Sequence, residues 1–196
     1  DGNLQVVPTS VYAKTLDGIA PVWLTGWPQA GTATAQTLSV KVKSSESGKV
    51  YVAARVAGSV APTAAEVRSG PLASGSVVAN IESIIVVPGL SDNTGYELWV
   101  VAEDASANLQ GYAVRVAMKT LDATPPAWAA GYPQVAKIAG ISAVLQVRLD
   151  EAGTIYGLAL TAGSVSVPTA ESIRASSAAR LPVTGATTGV MVINGL

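Results

Sequence analysis

Histidine, cysteine and phenylalanine are absent from this sequence, and charged residues make up only 13% of it. Without histidine or cysteine there is no Ser-His-Asp triad, Cys-His dyad, His- or Cys-built zinc site, His-ligated haem, iron–sulfur cluster or disulfide. Most enzyme chemistry is thereby excluded, and neither catalysis nor a cofactor is expected. Clustered charge is also missing. The 12 Lys and Arg against 13 Asp and Glu are scattered and leave a net charge of −1, whereas phosphate binding through counterion release needs grouped cations. Nucleic acid is not an expected partner. The 49% hydrophobic content comes from Ala and Val spread along the chain, and no run of about 18 to 20 apolar residues is present to span a membrane. Lack of cysteine does not place the chain in the cytosol, because 196 residues can bury an adequate core without disulfides.

What the chain does have is a repeat. Asn3-Leu4-Gln5 recurs as Asn108-Leu109-Gln110, and Lys14-Thr15-Leu16-Asp17 recurs as Lys119-Thr120-Leu121-Asp122, each 105 positions on. The same offset pairs Pro21 with Pro126, Trp23 with Trp128, Gly26 with Gly131, Glu46 with Glu151 and Gly58-Ser59-Val60 with Gly163-Ser164-Val165. One inserted residue near Val167 moves the offset to 106, after which Pro62-Thr63-Ala64 matches Pro168-Thr169-Ala170 and Gly89-Leu90 matches Gly195-Leu196. The phase divides the chain into residues 1–16, the end of one unit; residues 17–121, a complete unit; and residues 122–196, a unit without counterparts of its last two strands.

Period-two alternation runs through the repeat, the pattern of strands with one buried face. Leu38, Val40 and Val42 alternate with Ser39, Lys41 and Lys43; Tyr96, Leu98, Val100 and Ala102 form a second inward set, and Tyr112, Val114, Val116 and Met118 a third. Ser47-Gly48 and Ala152-Gly153 are expected to close hairpins, and Asp92-Asn93-Thr94-Gly95 to make another turn. The one helical signal is Pro62 to Arg68, where Thr63 and Glu66 have capping-box spacing. An all-β fold of tandem antiparallel sandwiches follows.

The segment Leu90-x5-Tyr96-x-Leu98-x-Val100-x-Ala102 resembles the fibronectin type III pattern of a leucine, a turn, a corner tyrosine and an alternating strand F. The whole unit is similar to tandem immunoglobulin-like or fibronectin-like repeats of bacterial surface and secreted proteins. That resemblance covers nearly the whole chain. It implies that the Tyr96 hydroxyl bonds back to nearby backbone, that the chain lies outside the cell or at its surface, and that it serves as a stalk, fibre, adhesin shaft or spacer. The Trp usual in strand B of type III domains is missing; Trp23 and Trp128 lie instead on the first strand.

Four features could carry more than architecture. Glu103-Asp104 is the densest acidic spot, but neighbours on a strand end point to opposite faces and read as a solvated turn. Asp17, Asp104 and Asp122 are hard oxygen donors near the linkers, short of the six or more ligands calcium takes, so no metal is assigned. Trp23 and Trp27, four apart on a strand and echoed by Trp128 and Tyr132, either pack the junction between units or stack on a pyranose ring of an extracellular polysaccharide. Leu181-Pro182-Val183-Thr184-Gly185 spells a sortase motif, yet no membrane-spanning stretch or basic tail follows, and it reads as coincidence.

The unfinished unit allows two readings. Either residues 1–196 are a window on a longer tandem array, or segment 1–16 completes a neighbouring molecule's unit, with Val7, Thr9, Val11 and Ala13 inward where Tyr112, Val114, Val116 and Met118 stand in the repeat. The second makes the chain its own partner in a head-to-tail, non-closing assembly.

Overall fold

The computed structural model describes residues 2, 7–163, 166–176 and 179–196, so Asn3-Leu4-Gln5 and Ser164-Val165 of the repeat lie outside the described residues. The chain divides into two units, Asp1–Ala123 and Thr124–Leu196. No helix among the described residues is long and apolar enough to cross a membrane.

Alternating apolar side chains build the first unit. Its elements are β1 (Gln29–Ala33), β2 (Leu38–Val42), β3 (Gly48–Val56), α1 (Ala64–Ser69), β4 (Ala73–Val77), β5 (Ser83–Val87), β6 (Gly95–Asp104) and β7 (Val114–Lys119). They form two antiparallel sheets of order β1-β2-β5 and β4-β3-β6-β7. Leu38, Val40 and Val42 from the first sheet share one core cluster with Val50, Val52, Leu98 and Val100 from the second. Burying seven such side chains at about 1.5–3 kcal/mol each is the main force closing the sheets on one another. The fold is all-β, with several antiparallel sheets in an arrangement compatible with a β-sandwich.

Three readings of the sequence need correction. Ser47-Gly48 closes no hairpin, because β2 pairs with β1 and β5 while β3 pairs with β4 and β6; the turn carries the chain from one sheet to the other. Strand β6 is buried on both faces, not one. Thr63 caps α1 in a reciprocal capping box with Glu66, and α1 then covers the outer side of the sheet, so that Ala64, Val67 and Val101 form a second cluster. Tyr112 is 75% exposed and precedes β7; of the third inward set only Val116 is buried.

The second unit repeats this plan over five strands: β8 (Gln134–Ala139), β9 (Ser142–Val147), β10 (Ala152–Gly157), β11 (Ala179–Thr184) and β12 (Gly189–Asn194), with α2 (Ala170–Ser176) between β10 and β11. The sheets are β12-β9-β8 and β10-β11, so Ala152-Gly153, like its copy, opens a strand and closes no hairpin. Val147, Leu149, Ile155, Val183, Met191 and Ile193 make its core. The sortase-like pentapeptide covers the end of β11, where Val183 is buried, and the residue after it, Gly185, which turns beside Glu151 at φ +64°. It is part of the packing.

Candidate functional site

The aromatic side chains are held by a turn rather than by a continuous strand. Trp23 makes an isolated bridge to Ser44, and the chain then turns at Gly26, whose φ of +82° suits glycine, with the Trp27 amide donating to the Leu24 carbonyl at 3.0 Å. Trp23 and Trp27 therefore do not project from one strand face as the spacing suggested. The turn brings them, with Tyr112, around a groove of about 410 Å³. Gln110 braces its floor: the side-chain oxygen accepts the Ala102 amide at 2.9 Å and the side-chain nitrogen donates to the Pro21 carbonyl at 3.0 Å. The Trp23 ring packs against the core, and its buried Nε1 has no hydrogen-bond partner among the described residues. In the second unit the same turn recurs at Gly131, Trp128 is 47% exposed, and the Tyr132 hydroxyl lies 3.0 Å from Thr188 Oγ1.

Glu103 and Asp104 are buried, not solvated, and they diverge as adjacent strand residues must. Glu103 receives the Tyr51 hydroxyl at 2.8 Å and pairs with Arg68 of α1 at 2.5 Å. The hydrogen bond to Glu103 raises the Tyr51 phenol above its usual pKa, with desolvation adding to it, and the same carboxylate raises Arg68. This clamp fastens α1 to β3 and β6. Asp104 points the other way and organises the loop after β6. Its Oδ1 accepts the Ser106 and Asn108 amides, both at 2.8 Å, and its Oδ2 accepts Asn108 Nδ2 at 2.7 Å. Desolvation pushes the Asp104 pKa up, but the bonds from Asn108 and Ser106 outweigh it and hold the carboxyl below its ordinary value.

Asp17, Glu46 and Asp104 bring carboxylate oxygens within 4.8 Å of one another. The sequence grouped Asp17 and Asp104 with Asp122 and overlooked Glu46; Asp122 instead accepts Asn93 Nδ2 at 3.0 Å. The copy of Glu46 at Glu151 was the available signal. At one oxygen each, three carboxylates supply half or fewer of the oxygens that calcium takes, and Asp104 already accepts three hydrogen bonds from the loop.

Two further residues have clear positions. The Tyr96 hydroxyl accepts the Ser91 amide at 3.0 Å, five residues upstream, while Thr120 Oγ1 donates to the Ser91 carbonyl at 2.7 Å. The turn into β6 is thus tied from two sides. Tyr96→Phe keeps the ring and removes the acceptor, so it is expected to cost about 1 kcal/mol and to speed exchange of the Ser91 amide, read by urea unfolding and hydrogen exchange. Segment 7–16 belongs to no strand: Val7 is 70% and Val11 89% exposed, and Thr9 and Ala13 are exposed as well.

No family model matches the chain, and no curated protein does either.

Proposed function

We propose that the chain is a non-catalytic structural or adhesive element of the extracellular space or cell surface, built from tandem fibronectin type III-like sandwiches that form a stalk or fibre. One observation carries this reading: strand order β1-β2-β5 against β4-β3-β6-β7, joined at the turn into β6 by the Tyr96–Ser91 bond. In the lettering of such sandwiches this order corresponds to A-B-E against C′-C-F-G, and the Tyr96 bond supports reading the turn as a tyrosine corner. Repetition of the unit along one chain suits a spacer, since each copy adds length without adding chemistry. Segment 7–16, the sequence copy of the β7 region, presents Val7 and Val11 to solvent and supports assembly by strand exchange between molecules.

The test is sedimentation and negative-stain microscopy of the 196-residue chain beside one lacking residues 1–16. Fibres or head-to-tail oligomers that vanish in the truncation support exchange and make Val7 and Val11 assembly residues. Monomers in both leave a spacer and remove the exchange.

The groove of Trp23, Trp27 and Tyr112 favours a second reading, a carbohydrate-binding module or spacer of a secreted polysaccharide-active enzyme. Flat rings around a polar floor suit the apolar face of a pyranose. Retention on insoluble polysaccharide that is lost in Trp27→Ala would replace the first reading with this one.

A further inference from the structure

We propose that the second unit carries a seat for one added β-strand, in the groove between α2, β10 and the Trp128 segment, and that the strand it fits has the pattern of β6: a small or apolar pair followed by a carboxylate. Pro126, Trp128, Leu149, Tyr156, Ala170 and Ile173 line this groove of about 390 Å³.

The repeat itself says what covers the groove. The matching residues of the first unit are Pro21, Trp23, Ser44, Tyr51, Ala64 and Val67, and β6 lies beside Tyr51, Ala64 and Val67. There Tyr51 pairs with Val101 and Val50 with Ala102, and Ala64 and Val67 are buried against Val101. In the second unit, among the described residues, β10 pairs with β11 alone, and no residue of α2 is buried. The apolar face that α1 buries is present in α2, where Ala170 is exposed and Ile173 only half-buried.

Glycine gives an independent sign. A Cβ on Gly48 would fall against the Glu103 carbonyl oxygen and 2.8 Å from Asp104 Cα, so the close approach of β6 requires glycine there. Gly153 keeps that glycine, yet its nearest neighbours are side-chain atoms of Leu149 and Pro126 at 3.4 and 3.6 Å, which would tolerate a methyl group. Nothing within the described unit needs glycine at 153. An incoming strand backbone does.

Charge complementarity sets the end of the strand. Glu103 sits between the Tyr51 hydroxyl and Arg68; their copies are Tyr156 on β10 and Arg174 in the last turn of α2. An antiparallel strand seated on β10 in the register of β6 on β3 would place its carboxylate toward this phenol and guanidinium, and its small residue opposite Ile155.

The experiment adds a synthetic peptide with the sequence of residues 95–110 to the intact 196-residue chain and follows amide exchange. The expected result is slowed exchange across 152–157, with Glu103→Gln in the peptide weakening binding roughly tenfold, the gap between a charge-assisted and a neutral hydrogen bond. Gly153→Val in the chain is expected to abolish binding while exchange in β3 and β6 stays unchanged. If the second unit is open without peptide, its closure on addition is the same positive result. Unchanged exchange across 152–157 at millimolar peptide, or equal protection by a scrambled peptide, overturns the proposal. The inference rests on reading the halves as copies of one unit, not on the role of the module. Sedimentation and polysaccharide binding read that role, so either can fail alone.

Discussion

Gly48→Ala is expected to lower the stability of the first unit by about 3 kcal/mol or more, the upper range for overpacking, while Gly153→Ala at the same place in the repeat changes the second unit by less than about 0.5 kcal/mol. The two glycines are alike in sequence and differ in what lies beside them. At Gly48 the obstacle is main chain, the Glu103 carbonyl and Asp104 Cα, which cannot swing aside as a side chain can. Relief requires β3 and β6 to separate where Gly48 opposes Asp104 and Lys49 opposes Glu103. That separation also pulls Glu103 from Tyr51 and Arg68, so α1 loses its clamp. Urea unfolding with site-resolved hydrogen exchange in β3 and β10 separates the two units. Equal losses at the two positions would mean that the close approach at Gly48 does not set the register of the strand pair.

What is legible in the sequence depends on the range over which each signal acts. Leu38, Val40 and Val42 show their inward face because a pleated strand alternates at every step, and Thr63 and Glu66 announce a capping box because both partners lie within one turn. Partner choice is not local. Ser47-Gly48 marks where the chain turns, but whether it turns back on the same sheet or crosses to the other is decided by pairing with β6, some 50 residues away. Val101 stands at an outward position of an alternating strand, and it is buried in a cluster that includes Ala64 and Val67 of α1, folded across from a distant stretch. The same holds for the carboxylates. Glu46 joins Asp17 and Asp104 through the fold, and Asp122, nearer the linker motif, is drawn to Asn93 instead. The four-residue spacing of Trp23 and Trp27 suggests strand neighbours, whereas Gly26 between them is a turn signal.

Leu98→Ala is expected to cost the first unit about 2–5 kcal/mol, a large share of the 5–15 kcal/mol typical of a domain. Leu98 has no exposed surface and stands at the centre of the four-stranded sheet, opposite Ala54 on β3 and Val116 on β7. Its side chain faces the cluster shared with Leu38, Val40 and Val42, so truncation opens a cavity that the two sheets close only by shifting together. Val101→Ala is the informative partner. Val101 is equally buried but on the other face, and it removes two methyl groups, so its expected cost is smaller, about 1.5–3 kcal/mol. Its effect should concentrate on α1. Denaturation midpoints together with exchange of the α1 amides distinguish the two: Leu98→Ala lowers the whole unit, and Val101→Ala frees α1 first. A Val101→Ala variant whose α1 amides keep their protection relative to the strands would show that the clamp of Tyr51, Glu103 and Arg68 alone holds the helix, and that the apolar contact under it is incidental.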